Sequence, residues 1–435
     1  MDTLEAARMQ MATSMIFHIV FAAIGMVMPF FMVASHYMWL KTNNSKFLNL
    51  TKAWQKGVAI FFVVGAVSGT MLSFELGLLW PTFMLYAGPI IGMPFSLEGT
   101  AFFVEAIAFG FYLYGWDSIK SKWFHWGTGL IVGISGFSSG ILVVAANGWM
   151  NAPSGFDYVD GQYLNVDPVK ALFNDAWFTQ ALHMSLAAIV AVGFSAGGLH
   201  LYQAYKRRNV AFHKVAFRIS LTFASIAAIL IPISGDISAK DIAERQPAKL
   251  AAMEAHYHTT KGADLLLGGI VNEEKKEVDY AVHLPKALSF LAFGDFDAEV
   301  IGLDQIPEDE HPPVALTHYC FQIMVGSGSF LMVLGILFLL STKYKRWQTR
   351  PWFVYSFLIA TPLGFIALEA GWLVTELGRQ PWIINGIMKT KDAVTSIPGM
   401  QYSFYLYFII YSTLSVAVFW LMNRQIVKIN NNEND

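Results

Sequence analysis

Long apolar runs separated by short polar loops make up most of this chain. Nine of the runs are about 20 residues or longer, the length that a helix needs to cross the hydrocarbon core of a bilayer. They cover residues 13–40, 54–79, 95–116, 125–147, 177–205, 214–236, 314–341, 353–375 and 401–423. The pattern therefore predicts an all-α polytopic membrane protein with nine transmembrane helices.

The loops between these runs alternate in their content of lysine and arginine. Basic residues cluster in the first, third, fifth and seventh loops and in the C-terminal tail, whereas the second loop, Trp80 to Pro94, has no charged residue. Short loops rich in lysine and arginine mark the cytoplasmic side of a membrane. We therefore expect the N-terminus outside and the C-terminus in the cytoplasm.

One segment is much longer than the other loops. Residues 237–313 contain fifteen Asp or Glu and seven Lys or Arg, and the alternation puts them on the outer side. A loop of this length is usually functional or disordered, although an acidic excess alone also fits a solvated loop. We divide the chain into helices one to six (1–236), this outer segment (237–313), and helices seven to nine with the tail (314–435). Within the segment, Ser238 to Tyr257 is predicted to form an amphipathic helix.

The composition agrees with a membrane protein. Hydrophobic residues make up 55% of the chain and charged residues only 14%, against about 25% charged in a soluble domain. The formal net charge of −2 identifies no partner; we expect a lipid bilayer and no nucleic acid. Cys320 is the single cysteine of the sequence, which excludes a disulfide within the chain.

Few polar side chains fall inside the predicted spans, and an ionisable side chain in the membrane is costly and marks a functional site by default. The predicted topology puts most of them in the outer part of the membrane. Glu105 lies two turns, about 10.5 Å, deeper than Glu98 on the same helix face. The candidates are His18, Glu98, Glu105, His183, Met324 and Glu369.

Each candidate has an ordinary explanation when it is taken alone. A histidine in the membrane often only bonds a neighbouring helix, a methionine packs in the core, and carboxylates serve protons or ions. Together, two histidines, a methionine and carboxylates at one depth fit axial ligation of haem iron. Arg8 and Arg379, near the outer helix ends, are placed to pair with haem propionates.

Six motifs give the chain a resemblance to subunit I of cytochrome bd quinol oxidase. They are ARMQ…FHIVF, LEGTAFFVEA, VAANGWMNAP, GDISA…QPAKLAAMEAHY, FQIMV and LEAGWLVTELGRQPW. The similarity runs from Arg8 to about Ile387, with nine spans in the family's order. The outer segment resembles the short form of the family's quinol loop. Gln322, in FQIMV, stands where some members have arginine.

The resemblance implies three haems. His183 and Met324 would bind a low-spin haem b. His18 would bind one high-spin haem and Glu369 the other, one of the two being a second haem b and the other haem d. Glu98 would lie at the iron or the propionates of the His18 haem.

The resemblance also implies roles outside the haem ligands. Glu105 and Ser139 would belong to a proton path, and Lys249 and Glu254 match positions tied to quinol oxidation. Side chains that would support the haem propionates are Arg8, Arg379, Gln380 and Trp382.

The implied protein is the haem-containing subunit of a terminal oxidase in the bacterial cytoplasmic membrane. It would oxidise menaquinol or ubiquinol at the outer face and reduce O2 to water with cytoplasmic protons, which generates proton motive force without a pump. The implied partners are a second large subunit, subunit II, and in some members a small single-helix subunit.

Two alternatives stay open at this point. An oxidase of the same fold that holds only b haems would have the same ligands, because the macrocycle is not encoded by them. A proton-coupled transporter would use the same intramembrane carboxylates, although the chain shows no inverted repeat or paired broken helices by eye.

Overall fold

The computed structural model describes residues 1–159 and 162–431. Within these ranges, nine helices are long and apolar enough to cross a membrane, which confirms the predicted fold class. They are α1 (Thr3–Thr42), α2 (Ser45–Leu79), α3 (Pro81–Tyr114), α4 (Lys122–Asn151), α6 (Trp177–Tyr205), α7 (Val210–Arg245), α10 (Val314–Lys343), α11 (Pro351–Leu377) and α13 (Met400–Asn431).

Shorter elements fill the connections. The short helices are α5 (Pro168–Leu172), α8 (Pro247–Glu254), α9 (Ala287–Phe293) and α12 (Thr390–Ala393), with 3₁₀ turns at Leu303–Gln305, Glu308–Glu310 and Lys345–Thr349. The strands form five antiparallel pairs. These are β1 (Asp157–Val159) with β2 (Gln162–Leu164), β3 (Thr260–Lys261) with β8 (Glu299–Val300), β4 (Leu265–Leu267) with β7 (Val282–Leu284), β5 (Ile270–Asn272) with β6 (Glu277–Asp279), and β9 (Trp382–Ile384) with β10 (Met388–Lys389).

The start of α3 differs from the sequence prediction. The helix begins at Pro81 rather than at residue 95, so the predicted second loop is reduced to Trp80. Pro81 suits the first helical position, because a proline has no N–H and its φ angle is already helical. Pro89 and Pro94 lie inside the helix, where neighbouring helices can cover the freed carbonyls.

The end of α7 also lies beyond its prediction. The helix continues past residue 236, where the outer segment was expected to begin, to Arg245. Its last turns carry the ion pairs Asp236–Lys240 and Asp241–Arg245, each four residues apart. Such pairs support a helix that leaves the apolar layer.

The single amphipathic helix predicted over Ser238 to Tyr257 is wrong. Its first part is the end of α7 and its second part is α8, with Gln246 between them. Pro247 separates the two, because a proline cannot continue a helix but is favourable in the first turn of the next one.

The membrane helices form two four-helix rings. In the first ring α1 contacts α2, α2 contacts α3, α3 contacts α4, and α4 returns to α1. In the second ring α6, α7, α10 and α11 contact one another in the same cyclic order, and α13 packs outside on α1 and α2. The two rings meet through α1, α4 and α6. This repeat of packing was not evident in the sequence, because it lies in the order of helix contacts rather than in similar residues.

Residues 246–313 cover one end of the rings, which we call the loop end. There α8 packs on α7 and α10, and α9 packs on the end of α7. Leu250, Leu288 and Val300 belong to one small apolar core of this segment, and Tyr257 and Leu303 to a second. The long segment is therefore folded against the helices. The opposite end carries the lysine-rich loops of the odd connections, and we call it the basic end.

Candidate functional site

His18 is held by a serine and a glycine of the neighbouring helix. Its Nδ1 lies 2.9 Å from the hydroxyl of Ser68 on α2. That hydroxyl donates its one hydrogen to backbone carbonyls, at 2.9 Å for Val64. In the tautomer that keeps these serine bonds, His18 Nδ1 donates to the Ser68 hydroxyl and Nε2 carries the free lone pair. Gly69 gives the ring room, because a Cβ there would lie 2.9 Å from His18 Cε1.

His183 has the same arrangement in the second ring. Its Nδ1 lies 2.9 Å from the hydroxyl of Ser234 on α7, which donates to the carbonyl of Ile231 at 2.9 Å. Gly235 follows the serine and packs on the imidazole. A histidine with Nδ1–H fixed and Nε2 free is the form that binds a metal. Both histidines thus fit the predicted role as iron ligands.

Met324 lies on α10, which is opposite α6 in the second ring. A Cβ added to Gly371 of α11 would lie 3.0 Å from the Met324 sulfur, so the glycine makes room for the thioether. In the first ring, His18 on α1 is likewise opposite α3, which carries Glu98. The donor sets of the two rings are therefore a histidine with a thioether and a histidine with a carboxylate.

The predicted proton-path residues lie on the facing sides of α3 and α4. The Ser139 hydroxyl donates to a carboxylate oxygen of Glu98 at 2.8 Å. Glu105 is buried, and its carboxyl carbon would lie 3.0 Å from a Cβ placed on Gly136. Two carboxyl groups, two helical turns apart, thus follow one line along the α3–α4 contact.

Glu369 lies on α11, as predicted, but its surroundings are unusual. Both carboxylate oxygens are enclosed, and neither has a hydrogen-bond partner among the residues that the structure describes. Glu376, two turns nearer the loop end on the same helix face, was missed. Its oxygens accept hydrogen bonds of 2.5 Å from Asn147 and from Arg379, and 28% of its side chain is exposed. The signal was available, because Glu376 stands within the VTELGRQPW motif at the end of a predicted span.

The turn after α11 is fixed by its own neighbours. Arg379 is buried and also donates to the carbonyl of Ile383 at 2.5 Å, whereas its buried Nε has no hydrogen-bond partner among the residues that the structure describes. The amide oxygen of Gln380 accepts from Thr390 at 3.0 Å. The Trp382 ring lies under the ammonium of Lys389 at 5.3 Å. Arg8, predicted to act beside Arg379, is exposed near the start of α1.

Lys249 lies at one end of a buried hydrogen-bond chain. Its ammonium, in a residue only 2% exposed, donates to the Asn151 side chain at 2.5 Å. Asn151 donates to the Asn147 amide oxygen at 3.1 Å, and Asn147 donates to Glu376. Burial and the nearby charge of Arg379, opposed by the charge of Glu376, together lower the pKa of Lys249 to about 7. This hydrogen-bond chain connects α8 to α11 through α4.

Glu254 ends α8 and is also buried. Burial raises the pKa of its carboxyl group to about 8. One carboxyl oxygen has no hydrogen-bond partner in the described parts of the chain, and the same is true of the Tyr257 hydroxyl and of His318 Nε2. His318, for which the sequence indicated no role, donates from Nδ1 to the Met253 carbonyl at 2.8 Å. Several unpaired polar atoms therefore face the junction of α8 with α10.

A further buried carboxylate, Glu75 on α2, was missed although it falls inside a predicted span. One of its oxygens accepts from Gln10 at 2.8 Å and from Ser14 at 2.9 Å, both on α1. These bonds join the two helices on the loop-end side of His18 and give Glu75 a structural role.

Comparisons with known proteins identify the family and the fold of the chain. The family model described as cytochrome bd terminal oxidase subunit I matches residues 6–430. The chain is 33% identical to a Bacillus subtilis protein provisionally named cytochrome bd menaquinol oxidase subunit I, over 97% of this chain and 96% of that one. It is 27% identical to the cytochrome bd ubiquinol oxidase subunit 1 of Bacillus subtilis, over 98% and 94%. A chain of the bd oxidase from Geobacillus thermodenitrificans has the same fold, with a TM-score of 0.93, 34% identity and coverage of 98% and 99%.

The serine contacts lead to a prediction. Removing the acceptor of a ligand's second nitrogen typically weakens metal binding about 10- to 100-fold. We expect Ser68→Ala and Ser234→Ala each to lower the haem content of the purified protein. In Ser234→Ala the decrease should be confined to the low-spin haem signal. Ser73→Ala on α2 is the control, since that hydroxyl is exposed and bonds only Gly69. Full haem content in both variants would show that the serines do not hold the imidazoles.

Proposed function

The chain belongs to the cytochrome bd terminal oxidase subunit I family, and from this premise we propose that its two helix rings hold three haems and that quinol is oxidised at the loop end. The protein is an oxidoreductase subunit of a respiratory quinol oxidase and spans the bacterial membrane several times. Haem, when bound, supplies the one-electron iron chemistry and the site where O2 is reduced to water.

His183 and Met324 are the proposed ligands of a low-spin haem b. The observation that supports this most strongly is the 2.9 Å contact of His183 Nδ1 with the Ser234 hydroxyl, which also bonds the Ile231 carbonyl. In the tautomer that keeps both bonds, Nε2 is the nitrogen left to bind a metal. A haem held by a histidine and a methionine would have a raised reduction potential, which would suit electron transfer rather than oxygen binding.

His18 is the proposed ligand of one high-spin haem, with Glu98 at its iron or its propionates. The second high-spin haem takes a carboxylate of α11, and one of the two is haem b and the other haem d. Glu369 is the ligand that the sequence predicts. Both of its oxygens are buried without a hydrogen-bond partner in the described parts of the chain, which leaves them free to bind a metal. Glu376, on the same helix face and partly exposed, is the rival, although its oxygens already accept from Asn147 and Arg379. Arg8, Arg379, Gln380 and Trp382 remain the proposed propionate support, with Arg379 limited by its bonds to Glu376 and Ile383.

Quinol, either menaquinol or ubiquinol, is proposed to bind near Lys249 and Glu254. A quinol releases two protons and two electrons when it is oxidised. Glu254 can accept a proton once its carboxyl group has ionised, and Lys249 can donate to a quinol oxygen when it is charged. The hydrogen-bond chain from Lys249 through Asn151 and Asn147 to Glu376 holds α8 against α11.

The loop end is proposed to face outward, with the N-terminus outside and the C-terminus in the cytoplasm, following the positive-inside rule. Quinol protons then leave outside, and the protons consumed in water formation arrive from the cytoplasm past Glu105 and Ser139. Charge separates across the membrane without a pump. Subunit II, and in some oxidases a small single-helix subunit, are the proposed partners.

Membership of an oxidase family argues against the transporter alternative. An oxidase that holds only b haems remains the alternative for haem content, since no residue of the chain specifies the macrocycle. An absorption spectrum of the purified oxidase separates the two. We expect haem b bands together with the red-shifted band of a chlorin, and b bands alone would select the alternative.

The carboxylate ligand is tested by two matched variants. We expect Glu369→Ala to remove one high-spin haem and to leave the low-spin signal of the His183 site intact, because an alanine cannot bind iron. The measurement is the haem-to-protein ratio with the optical spectrum. If only Glu376→Ala loses a high-spin haem, Glu376 rather than Glu369 is the ligand. Three haems in both variants would refute a carboxylate ligand on α11.

A second test uses the pH dependence of quinol oxidation. Burial raises the pKa of Glu254 to about 8, so this group is largely protonated at neutral pH and becomes a base as the pH rises through that value. The charged form of Lys249 is lost above its lowered pKa of about 7, so we expect the wild-type rate to increase from about pH 6 to a maximum between about pH 7 and 8 and then to fall. We expect Glu254→Gln to be about tenfold or more slower and to lack that increase. Glu244→Gln, at an exposed position of α7, is the control. An unchanged increase in Glu254→Gln would exclude Glu254 as the base.

A further inference from the structure

The line of polar side chains on α3 that begins with two carboxyl groups continues toward the basic end with a tyrosine. Glu98, Glu105 and Tyr112 follow at intervals of seven residues, which keeps them on one helix face with a rise of about 10.5 Å per step. Each faces α4, in antiparallel order. Glu98 contacts Ser139, Glu105 contacts Gly136, and the Tyr112 ring would touch a Cβ on Gly129 at 2.5 Å.

Tyr112 is the centre of a buried cluster with two histidines from two other helices. Its hydroxyl lies 2.9 Å from Nδ1 of His36 on α1, and its carbonyl accepts from Nε2 of His125 on α4 at 2.8 Å. Tyr112 and His36 have no exposed surface, and His125 has almost none. The three side chains join α1, α3 and α4 within the first ring.

His36 has one nitrogen left over. Its Nε2 is buried, and no hydrogen-bond partner for it occurs within residues 1–159 and 162–431. A buried nitrogen without a partner is costly and calls for an explanation. Packing alone would be served as well by a phenylalanine, which has no polar atom to leave unpaired.

The cluster lies just inside the basic end. His36 is six residues from the end of α1, and the rings of Trp39 and Trp116 pack beside it at 5.5 and 5.2 Å. Lys122 lies over the Trp39 ring and Lys52 over the Trp116 ring, at 5.0 and 5.1 Å. The imidazole therefore lies between a solvated lysine layer and the buried carboxyl group of Glu105.

We propose that His36 and Tyr112, with His125 holding the Tyr112 backbone, form the cytoplasmic intake of the proton path that leads to Glu105. This rests on the proposed function, in which protons for water formation enter from the basic end. His36 takes up a proton at Nε2 and releases one from Nδ1 to the Tyr112 oxygen. Tyr112 passes its hydroxyl proton on, so one proton enters and one leaves.

The interval between Tyr112 and Glu105 is longer than one hydrogen bond. About 10.5 Å of helix rise separates their Cα atoms, and a hydrogen bond between oxygens spans about 2.8 Å. Buried water molecules must therefore carry the proton over this step, past Ala108 of α3 and the Phe30 ring of α1, which packs against Gly133 of α4. Water bound to buried polar groups is an ordinary component of protein interiors.

The test compares conservative variants in the intact oxidase. Tyr112→Phe keeps the ring and removes the hydroxyl, and His36→Gln keeps a donor for Tyr112 but cannot relay a proton between two nitrogens. We expect both to retain all haems and to slow proton uptake after an oxygen pulse, measured with a pH dye, about tenfold or more. Quinol-driven turnover should fall in parallel, with a larger rate decrease in D2O than in the wild type. Trp39→Phe is the control, because Trp39 packs in the same cluster but is not part of the proposed relay. Its proton uptake and turnover should equal those of the wild type.

Glu105→Gln separates failure of this inference from failure of the proposed function. Slow uptake in Glu105→Gln with wild-type rates in Tyr112→Phe and His36→Gln would overturn the intake and leave the Glu105 relay in place. Wild-type rates in all three variants would refute the proton path as a whole. If Tyr112→Phe loses haem, the His36→Gln result alone decides, and normal uptake in it overturns the proposal.

Discussion

A polar group buried among membrane helices must find its partner within the protein, because the hydrocarbon offers none. The hydrogen-bond chain from Lys249 through Asn151 and Asn147 to Glu376 shows how far this constraint reaches. Lys249, Asn151 and Asn147 each donate to the next group, and the ion pair of Glu376 with Arg379 extends the chain. The chain joins α8, α4 and α11, so the folded outer segment, the first ring and the second ring are held in one arrangement at the loop end.

The same constraint explains why the two rings treat their histidines alike. Serine hydroxyls of the adjacent helix lie 2.9 Å from Nδ1 of His18 and of His183, and a glycine beside each serine faces the imidazole. A Cβ would lie too close to the ring at Gly69, at 2.9 Å, but in ordinary contact at Gly235, at 3.6 Å. The rings differ in what lies opposite. A neutral thioether suits a site that carries electrons, whereas Glu98, bonded to Ser139, can also hold a proton. Electron transfer and proton delivery can thereby use separate helices of one fold.

The outer segment illustrates how a polar sequence becomes part of a membrane protein. Its two small apolar cores and its strand pairs satisfy its own backbone, and α8 then brings a lysine and a carboxyl group into the protein. Gln322 fastens the segment to α10 by bonding the Leu266 carbonyl and the Gly268 N–H at 2.9 and 3.2 Å. The uncharged amide at this position thus serves the fold of the segment.

The sequence alone was sufficient for the nine helices, because an apolar run of spanning length is a local property of the chain. It was also sufficient to single out His18, His183, Met324, Glu98 and Glu105, because polar residues are rare in such runs. The sequence prediction was wrong for Pro81 to Pro94, which was predicted as a loop because of its prolines but is the start of α3. It also missed Glu75 and Glu376. Only the tertiary structure decided the ring order and the partners. Ser68 and Ser234 lie 50 and 51 residues from their histidines, and such pairs form only when particular helices pack side by side.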